Sequence, residues 1–388
     1  MRSGLAILAV LLLGSMVPPA AADESGGFIV TLGQDTVGAE RYTRSKDRIE
    51  IFQVGRAPRV LRRHYVYDLK NGTMTHVALV VTPPGSESPT QTIDAKMDGD
   101  SLRGEVKTGA NPASHSAVSM GPGTLIVGSA SPWAGYESLM PALQKSKSDT
   151  LGGAMYFLGA ANLERYLLAK VGKDSVRISN THEDVYVAKI DKKGRILGTR
   201  PVAGTQKFAI TRVDKLDLDA LVASYAAREQ AGAGVGILSP RDTVRVDNAG
   251  GASLWIDYSR PAKRGRSVVG GILVPYGQVW RTGANAATQF KTDKPLDFGG
   301  TVVPAGFYTL WTLPTASGWK LIVNGETGQW GTAHKPEKDL YTLDMKVSSL
   351  PQVVERFTIS VDSSATGGVI NLDWDTTRAS IAFTVKAE

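Results

Sequence analysis

Arg281 is the residue whose type and setting point most directly to binding chemistry. It lies in the run Trp280-Arg281-Thr282-Gly283-Ala284-Asn285. A guanidinium is charged at every physiological pH and presents a planar fork of donors that matches a carboxylate or a phosphate. Asn285 and Thr288 add neutral hydrogen-bonding groups within seven residues, and Gly283 permits a tight turn that would gather them. Tyr258, Arg260 and Arg266, from the preceding segments, are expected to join the same group. Between Arg241 and Arg281 there are seven basic residues against three acidic ones, Asp242, Asp247 and Asp257. The whole chain carries a formal charge of +7, so most of its excess sits here, and such a patch attracts anions, acidic glycans or membrane surfaces. The same residues admit a structural reading, in which Arg281 is a buried tether bonded to backbone carbonyls and a carboxylate.

Catalytic constellations are sparse. Gly99-Asp100-Ser101-Leu102 spells the nucleophile block of GDSL esterases, but Asp98-Gly99 reads as a hairpin turn and no D-x-x-H block follows near the C-terminus. A serine nucleophile needs a histidine base, an orienting carboxylate and oxyanion donors, so the string is read as coincidence and no catalytic residue is assigned. The histidines His64, His76, His115, His182 and His334 are scattered, and His182-Glu183-Asp184 lacks the second histidine of a zinc motif. His64 and His76 are the one pair able to face each other, across a hairpin turned at Asn71-Gly72; otherwise they are strand-face residues, and no metal site is assigned. Calcium, which needs only oxygen ligands, stays open as a cofactor on Asp214, Asp217 and Asp219 or on Asp373 and Asp375. The first run reads equally as carboxylates at a helix N-terminus. Trp255 is out of phase with Leu254, Ile256 and Tyr258. It either stacks on a sugar or aromatic ligand or packs in the core or between domains.

These residues need elements to position them. Arg2, the apolar run Leu5 to Leu13, Pro18-Pro19 and Ala20-Ala21-Ala22 read as a signal peptide over 1–22, cleaved before Asp23. That predicts a periplasmic or secreted protein. The run is about half of the ~20 residues a spanning helix needs, and no later stretch is apolar enough, so no integral membrane segment is expected after cleavage. The absence of cysteine excludes thiolate nucleophiles, zinc ribbons, iron–sulfur clusters and disulfides. The fold class expected is mainly β: two antiparallel β-rich domains, the C-terminal one a β-sandwich, with a few short helices in and after the first. The first domain covers 23–230. Strands are expected at Phe28 to Leu32, Asp184 to Ile190 and Lys207 to Val213, with hairpins at Asn71-Gly72, Asp98-Gly99 and Lys193-Gly194. Helical patches are expected around Tyr136, Leu139, Met140 and Leu143, where Pro141 intervenes, and in two short pieces over Leu151 to Val171. Leu218, Leu221, Val222 and Tyr225 predict a further helix that Asp217 or Asp219 would cap. A small-residue linker over 231–238 then leads to a domain over 239–388. There the alternations Tyr341-Leu343-Met345-Val347, Phe357-Ile359-Val361, Ile370-Leu372-Trp374 and Ile381-Phe383-Val385 mark antiparallel strands.

Several strings in this second segment carry a resemblance: Ser239-Pro240-Arg241, Asp257-Tyr258-Ser259-Arg260-Pro261, Arg264-Gly265-Arg266, Val274-Pro275-Tyr276-Gly277, Val279 to Asn285, Pro304-Ala305-Gly306-Phe307-Tyr308 and Trp330-Gly331. Together they resemble a secreted bacterial family known as domain of unknown function 2911. The resemblance implies an all-β secreted domain and no established activity. The chain departs from the family's pattern at Ala286, where an acidic residue is usual, so a catalytic carboxylate there is not expected. The N-terminal half has no firm match; it is loosely similar to the curled antiparallel sheets of periplasmic lipoprotein-carrier proteins.

The function expected is therefore an exported soluble protein that binds an anionic or amphipathic small molecule or glycan through Arg281, Asn285 and aromatic neighbours. The alternative is a hydrolase of small esters, lactones or amides, with water activated by a carboxylate, a histidine or a bound divalent cation. Nucleic acid is not expected as a partner. The pI near 9.3 would permit it, but the chain shows no helix-turn-helix, RNP-like or finger pattern.

Overall fold

The computed structural model describes residues 24–57, 59–119, 125–127, 132–157, 164–180, 184–205, 207–231 and 237–386. The expected signal peptide, His182-Glu183 and residues 232–236 of the expected linker lie outside the described residues. Within them the chain is mainly β, with fifteen strands in one sheet and nine in a second.

The first sheet grows from hairpins whose turns the sequence dictates. Asn71 and Gly72 sit at φ 54° and 79°, the paired left-handed geometry that matches the twist of the flanking strands. Successive hairpins step from Glu24–Leu32 out to Ser114–Ser119. On its other side Glu24–Leu32 pairs with Ala209–Val213, and hairpins run back from there to Thr150–Phe157. Leu125–Val127 pairs with Thr150–Phe157 in parallel, which requires a crossover between them. That crossover holds α1 (Trp133–Ser138) and α2 (Met140–Lys145), split at Leu139 with Pro141 in the first turn of α2, where a missing N–H is harmless. Trp133, Tyr136, Met140 and Leu143 are buried together with Phe28, Tyr42, Tyr65, Leu79, Leu168 and Ile178, so the sheet wraps around the two helices.

Two buried carboxylates anchor α1 in this core. Glu40 accepts hydrogen bonds from the backbone N–H groups of Trp133 and Ala134 at 3.1 and 2.8 Å, and burial pushes its carboxyl up to about 7. Glu137 accepts from the Tyr42 hydroxyl at 2.7 Å, from the Ile196 N–H at 2.6 Å and from the Arg212 guanidinium.

The segment Leu151 to Val171, expected as helical pieces, forms the strands Thr150–Phe157 and Glu164–Lys170, paired from Thr150↔Ala169 to Met155↔Glu164. Tyr166 and Leu168 point into the core while Leu167 is exposed, a period of two that outweighs the helix preference of Ala and Leu once neighbouring strands supply the ladder. After the last strand, α3 (Leu218–Gln230) starts at Asp217, whose side chain accepts from the Ala220 N–H at 2.9 Å. Its Leu218 and Tyr225 pack on Ala39, Val54 and Val60.

The second sheet is antiparallel and sandwich-like. The long strand Asp339–Ser364 pairs first with Gly318–Asn324 and then with Gly367–Val385, folding the sheet over a core of Ile256, Tyr258, Trp280, Phe290, Phe357, Leu372 and Trp374. The expected alternations point inward at Leu343, Met345, Phe357, Ile359, Ile370, Leu372, Trp374, Ile381 and Phe383. No helix among the described residues is long and apolar enough to cross a membrane.

Candidate anion-binding cavity between the two sheets

The WRTGAN loop is built around Trp280. Its backbone exchanges hydrogen bonds with Thr312 at 2.7 and 2.9 Å, and its indole N–H donates to the Gly283 carbonyl at 3.1 Å. Thr282 and Asn285, not Gly283, carry the left-handed backbone, at φ 51° and 59°. A β-branched residue in that region is unusual and persists only where its surroundings hold it. Here Thr282 is fully buried, and its carbonyl accepts from the Thr288 hydroxyl at 2.7 Å. Gly283 is required for space instead: a Cβ there would lie 3.0 Å from the Ser259 carbonyl oxygen. Gly331 has a matching role. Its N–H donates to the Asn285 carbonyl at 2.9 Å, and a Cβ on it would fall 2.2 Å from the Arg281 Cδ. The Trp330-Gly331 pair thus leaves a lane along which Arg281 lies.

Arg281 is half-buried and, with Asn285, lines a cavity of about 160 Å³ between the two sheets. Two interlocked turns form the junction. Gln34 donates its N–H to the Arg264 carbonyl at 3.1 Å, and a Cβ on Gly33 would lie 2.2 Å from that oxygen. Gly265 in turn sits against the Gln34 side chain. The Arg264 guanidinium pairs with Asp35, which also takes Arg56 at 3.2 Å, and donates to the Leu238 carbonyl at 3.3 Å.

Among the described residues four cations line the cavity: Lys207 from the first sheet's side, and Arg264, Arg266 and Arg281 from the second's. Arg264 is spent on the junction. Arg266 gives two donors to the carbonyls of Lys263 and Ala262, at 2.9 and 2.7 Å; burial first, and then the charge of Arg264, push it down to about 10. Lys207 has no ion-pair partner among the described residues. Burial, then the charges of Arg281 and Arg266, push its ammonium down to about 8, with Asp184 opposing. Leu32, Phe208, Leu238, Leu273, Trp280 and Trp374 supply apolar wall. The arrangement is chemically simple: a small apolar hollow whose described lining residues carry cations and no carboxylate.

Of the six residues expected at the site, Arg281, Asn285 and Arg266 line this cavity; the other three are placed elsewhere by the sandwich. Tyr258 is a core residue whose hydroxyl accepts from the Ile359 N–H at 3.0 Å, and burial raises its pKa. Thr288 is fully buried beneath Thr282. Arg260 is a structural tether. It donates to the Phe357 carbonyl, to Asp242 and to the Thr358 hydroxyl at 3.2, 3.0 and 2.9 Å. Arg281 itself donates to the Asn285 carbonyl at 3.4 Å. Lys207 was not expected here. It reads as the start of a strand that in fact begins at Ala209, and no local pattern links it to Arg281.

The remaining motifs are also accounted for. Ser101 opens a strand directly after the turn, paired with Ser119. His64 and His76 do not face each other, because the hairpin register sets His64 opposite Val80 and His76 opposite Asp68. His64 pairs with Glu50 at 2.7 Å, and His76 bridges Asp68 and Asp94 at 2.7 and 3.0 Å. Among the carboxylates considered for calcium, Asp217 caps α3, Asp373 is gripped by Arg378 and Asp375 pairs with Lys263 at 2.5 Å. No group of three or more metal-ligating side chains occurs among the described residues.

The fold and site together define a mainly β protein of two largely antiparallel sheets with a cation-lined cavity at their junction. Residues 239–383 match a family model described as protein of unknown function (DUF2911), and no family model matches the N-terminal half. No curated protein matches the chain. Among solved structures it is similar to a beta-barrel-like protein of domain of unknown function DUF1849 from Brucella abortus, at 12% identity over 49% of this chain and 95% of that one, with a TM-score of 0.28. Another is intact Ap-TbpB with its N and C lobes, at 7% identity over 93% of this chain and 76% of that one, with a TM-score of 0.12.

Proposed function

We propose that this is an exported binding protein that holds a small amphipathic anion, a carboxylate with a short apolar tail, in the cavity between its two sheets. The observation that carries the reading is the convergence of Lys207 and Arg281, from opposite sides of the junction, on one apolar-walled hollow. Holding like charges together in a desolvated place is unfavourable, and a bound anion removes that cost. The apolar wall of Phe208, Leu238, Leu273 and Trp374 suits a hydrocarbon tail. Export rests on the leader pattern over residues 1–22.

The test is calorimetric titration of the full mature chain with a carboxylate series from acetate to octanoate. Octanoate is expected to bind best. Arg281→Ala is expected to weaken it about tenfold or more, since a hydrogen bond to a charged group contributes roughly 1.5–3 kcal/mol. Thermal unfolding should move little. A carboxylate series that does not bind, or an Arg281→Ala protein that binds as tightly as the parent, overturns the proposal.

A further inference from the structure

A second concave surface lies on the outer face of the C-terminal sheet, distinct from the interdomain cavity. The strand register aligns Arg245, Trp255, Lys291 and Phe307 in one row across four neighbouring strands, Arg245↔Trp255, Trp255↔Lys291 and Lys291↔Phe307. Residues in register project from the same face. Trp255 is half-buried, Phe307 is 46% exposed, and their rings lean together to 5.9 Å between centroids at 52°. Beside this row lie Asp247, Ser253 and Asp293, and the whole group encloses about 660 Å³. Asp293 is fixed as an acceptor by the Ser253 N–H at 2.7 Å, which holds its carboxyl below the usual range. Trp255 is absent from the core cluster, and the described residues of this surface all come from the second sheet and its turns, so neither core nor interdomain packing explains it.

We infer that this face is a binding site for a neutral pyranose glycan, stacked on Trp255 and Phe307. The charge pattern selects the ligand. Two cations, Arg245 and Lys291, stand against two carboxylates, Asp247 and Asp293, so the surface has no net field to draw an anion. An apolar partner would strip water from all four charges and return nothing, a heavy penalty. A sugar ring presents an apolar C–H face to the aromatic floor, while its rim of hydroxyls gives donors to the carboxylates and acceptors to the cations. The volume falls within the range of ordinary ligand sites, about 300–1,000 Å³, which gives room for more than one ring.

Calorimetric titration of the full mature chain with cellotetraose and with chitotetraose tests this inference. At least one tetrasaccharide is expected to bind. Trp255→Ala should weaken it by about tenfold or more and Phe307→Ala by about threefold, from loss of stacking surface. Phe307 is exposed, so its variant reports on binding even if Trp255→Ala unfolds. Arg281→Ala should bind the sugar as the parent does, which keeps this result independent of the carboxylate cavity. Failure of both tetrasaccharides to bind the parent protein, or undiminished binding by Phe307→Ala, overturns the inference.

Discussion

The charge state of Lys207 makes the interdomain cavity testable by pH alone. Its ammonium is pushed down to about 8 by burial and by Arg281 and Arg266. If the anion binds the protonated form, apparent affinity scales with the protonated fraction. That fraction falls from about nine-tenths at pH 7 to about one-tenth at pH 9, a loss of about tenfold. Arg266, pushed down to about 10, stays protonated over pH 6.5 to 9, and Arg264, Arg281, Asp35 and Asp184 are the other charged groups among the described residues at the cavity and its rim. Octanoate stays ionised throughout. Calorimetry of octanoate binding at half-unit steps over that window gives the profile, and proton uptake on binding near pH 8 gives an independent check. Lys207→Met should bind more weakly at pH 7 and show no slope. The anion-free protein supplies the opposite sign. A lysine whose folded pKa lies below its ordinary 10.5 is deprotonated first in the native state, so folding stability rises as pH climbs from about 8 toward 10.5. A flat affinity profile in the parent protein, or a slope that survives in Lys207→Met, refutes the reasoning.

Two further substitutions probe the scaffold. Gly331→Ala places a methyl where the Arg281 Cδ and the Asn285 carbonyl already lie, 2.2 and 2.4 Å away. Unfolding curves should show a loss of about 1–3 kcal/mol from overpacking, and octanoate affinity should fall as it does in Arg281→Ala; unchanged affinity would mean that Arg281 does not need its lane. Glu137→Ala strands Arg212 and the Tyr42 hydroxyl inside the first sheet, and denaturant titration should register a loss of about 3–5 kcal/mol. A cost below about 1 kcal/mol would show that water reaches that network.

Much of this protein is readable from local rules. Period-two alternation marks strands because successive side chains leave opposite faces of a pleated backbone, which is why Phe357-Ile359 and Ile370-Leu372-Trp374 were legible as one wall of a core. Asn71-Gly72 specifies its turn through its own backbone preferences, and Asp217 announces the start of α3 through its own side chain. Those signals travel only a few residues. Thr150–Phe157 and Glu164–Lys170 needed their neighbours in the sheet before they could be told from helix. Tyr258 and Thr288 carry chemistry-bearing groups, and nothing near them in the chain reveals that the sandwich closes over both.

The sequence determined that Arg281 is a cation in a short run with Asn285 and a turn-permitting Gly283. The tertiary structure decided that Arg260 is a tether, that Arg264 pins the two sheets together through Asp35, and that Lys207 arrives opposite Arg281 from the other unit. The reason is range. Backbone propensity and side-chain periodicity are properties of neighbours along the chain, whereas a cavity between two sheets is defined by which turns meet, and the turns of Gly33 and Gly265, far apart in sequence, meet only in the tertiary structure.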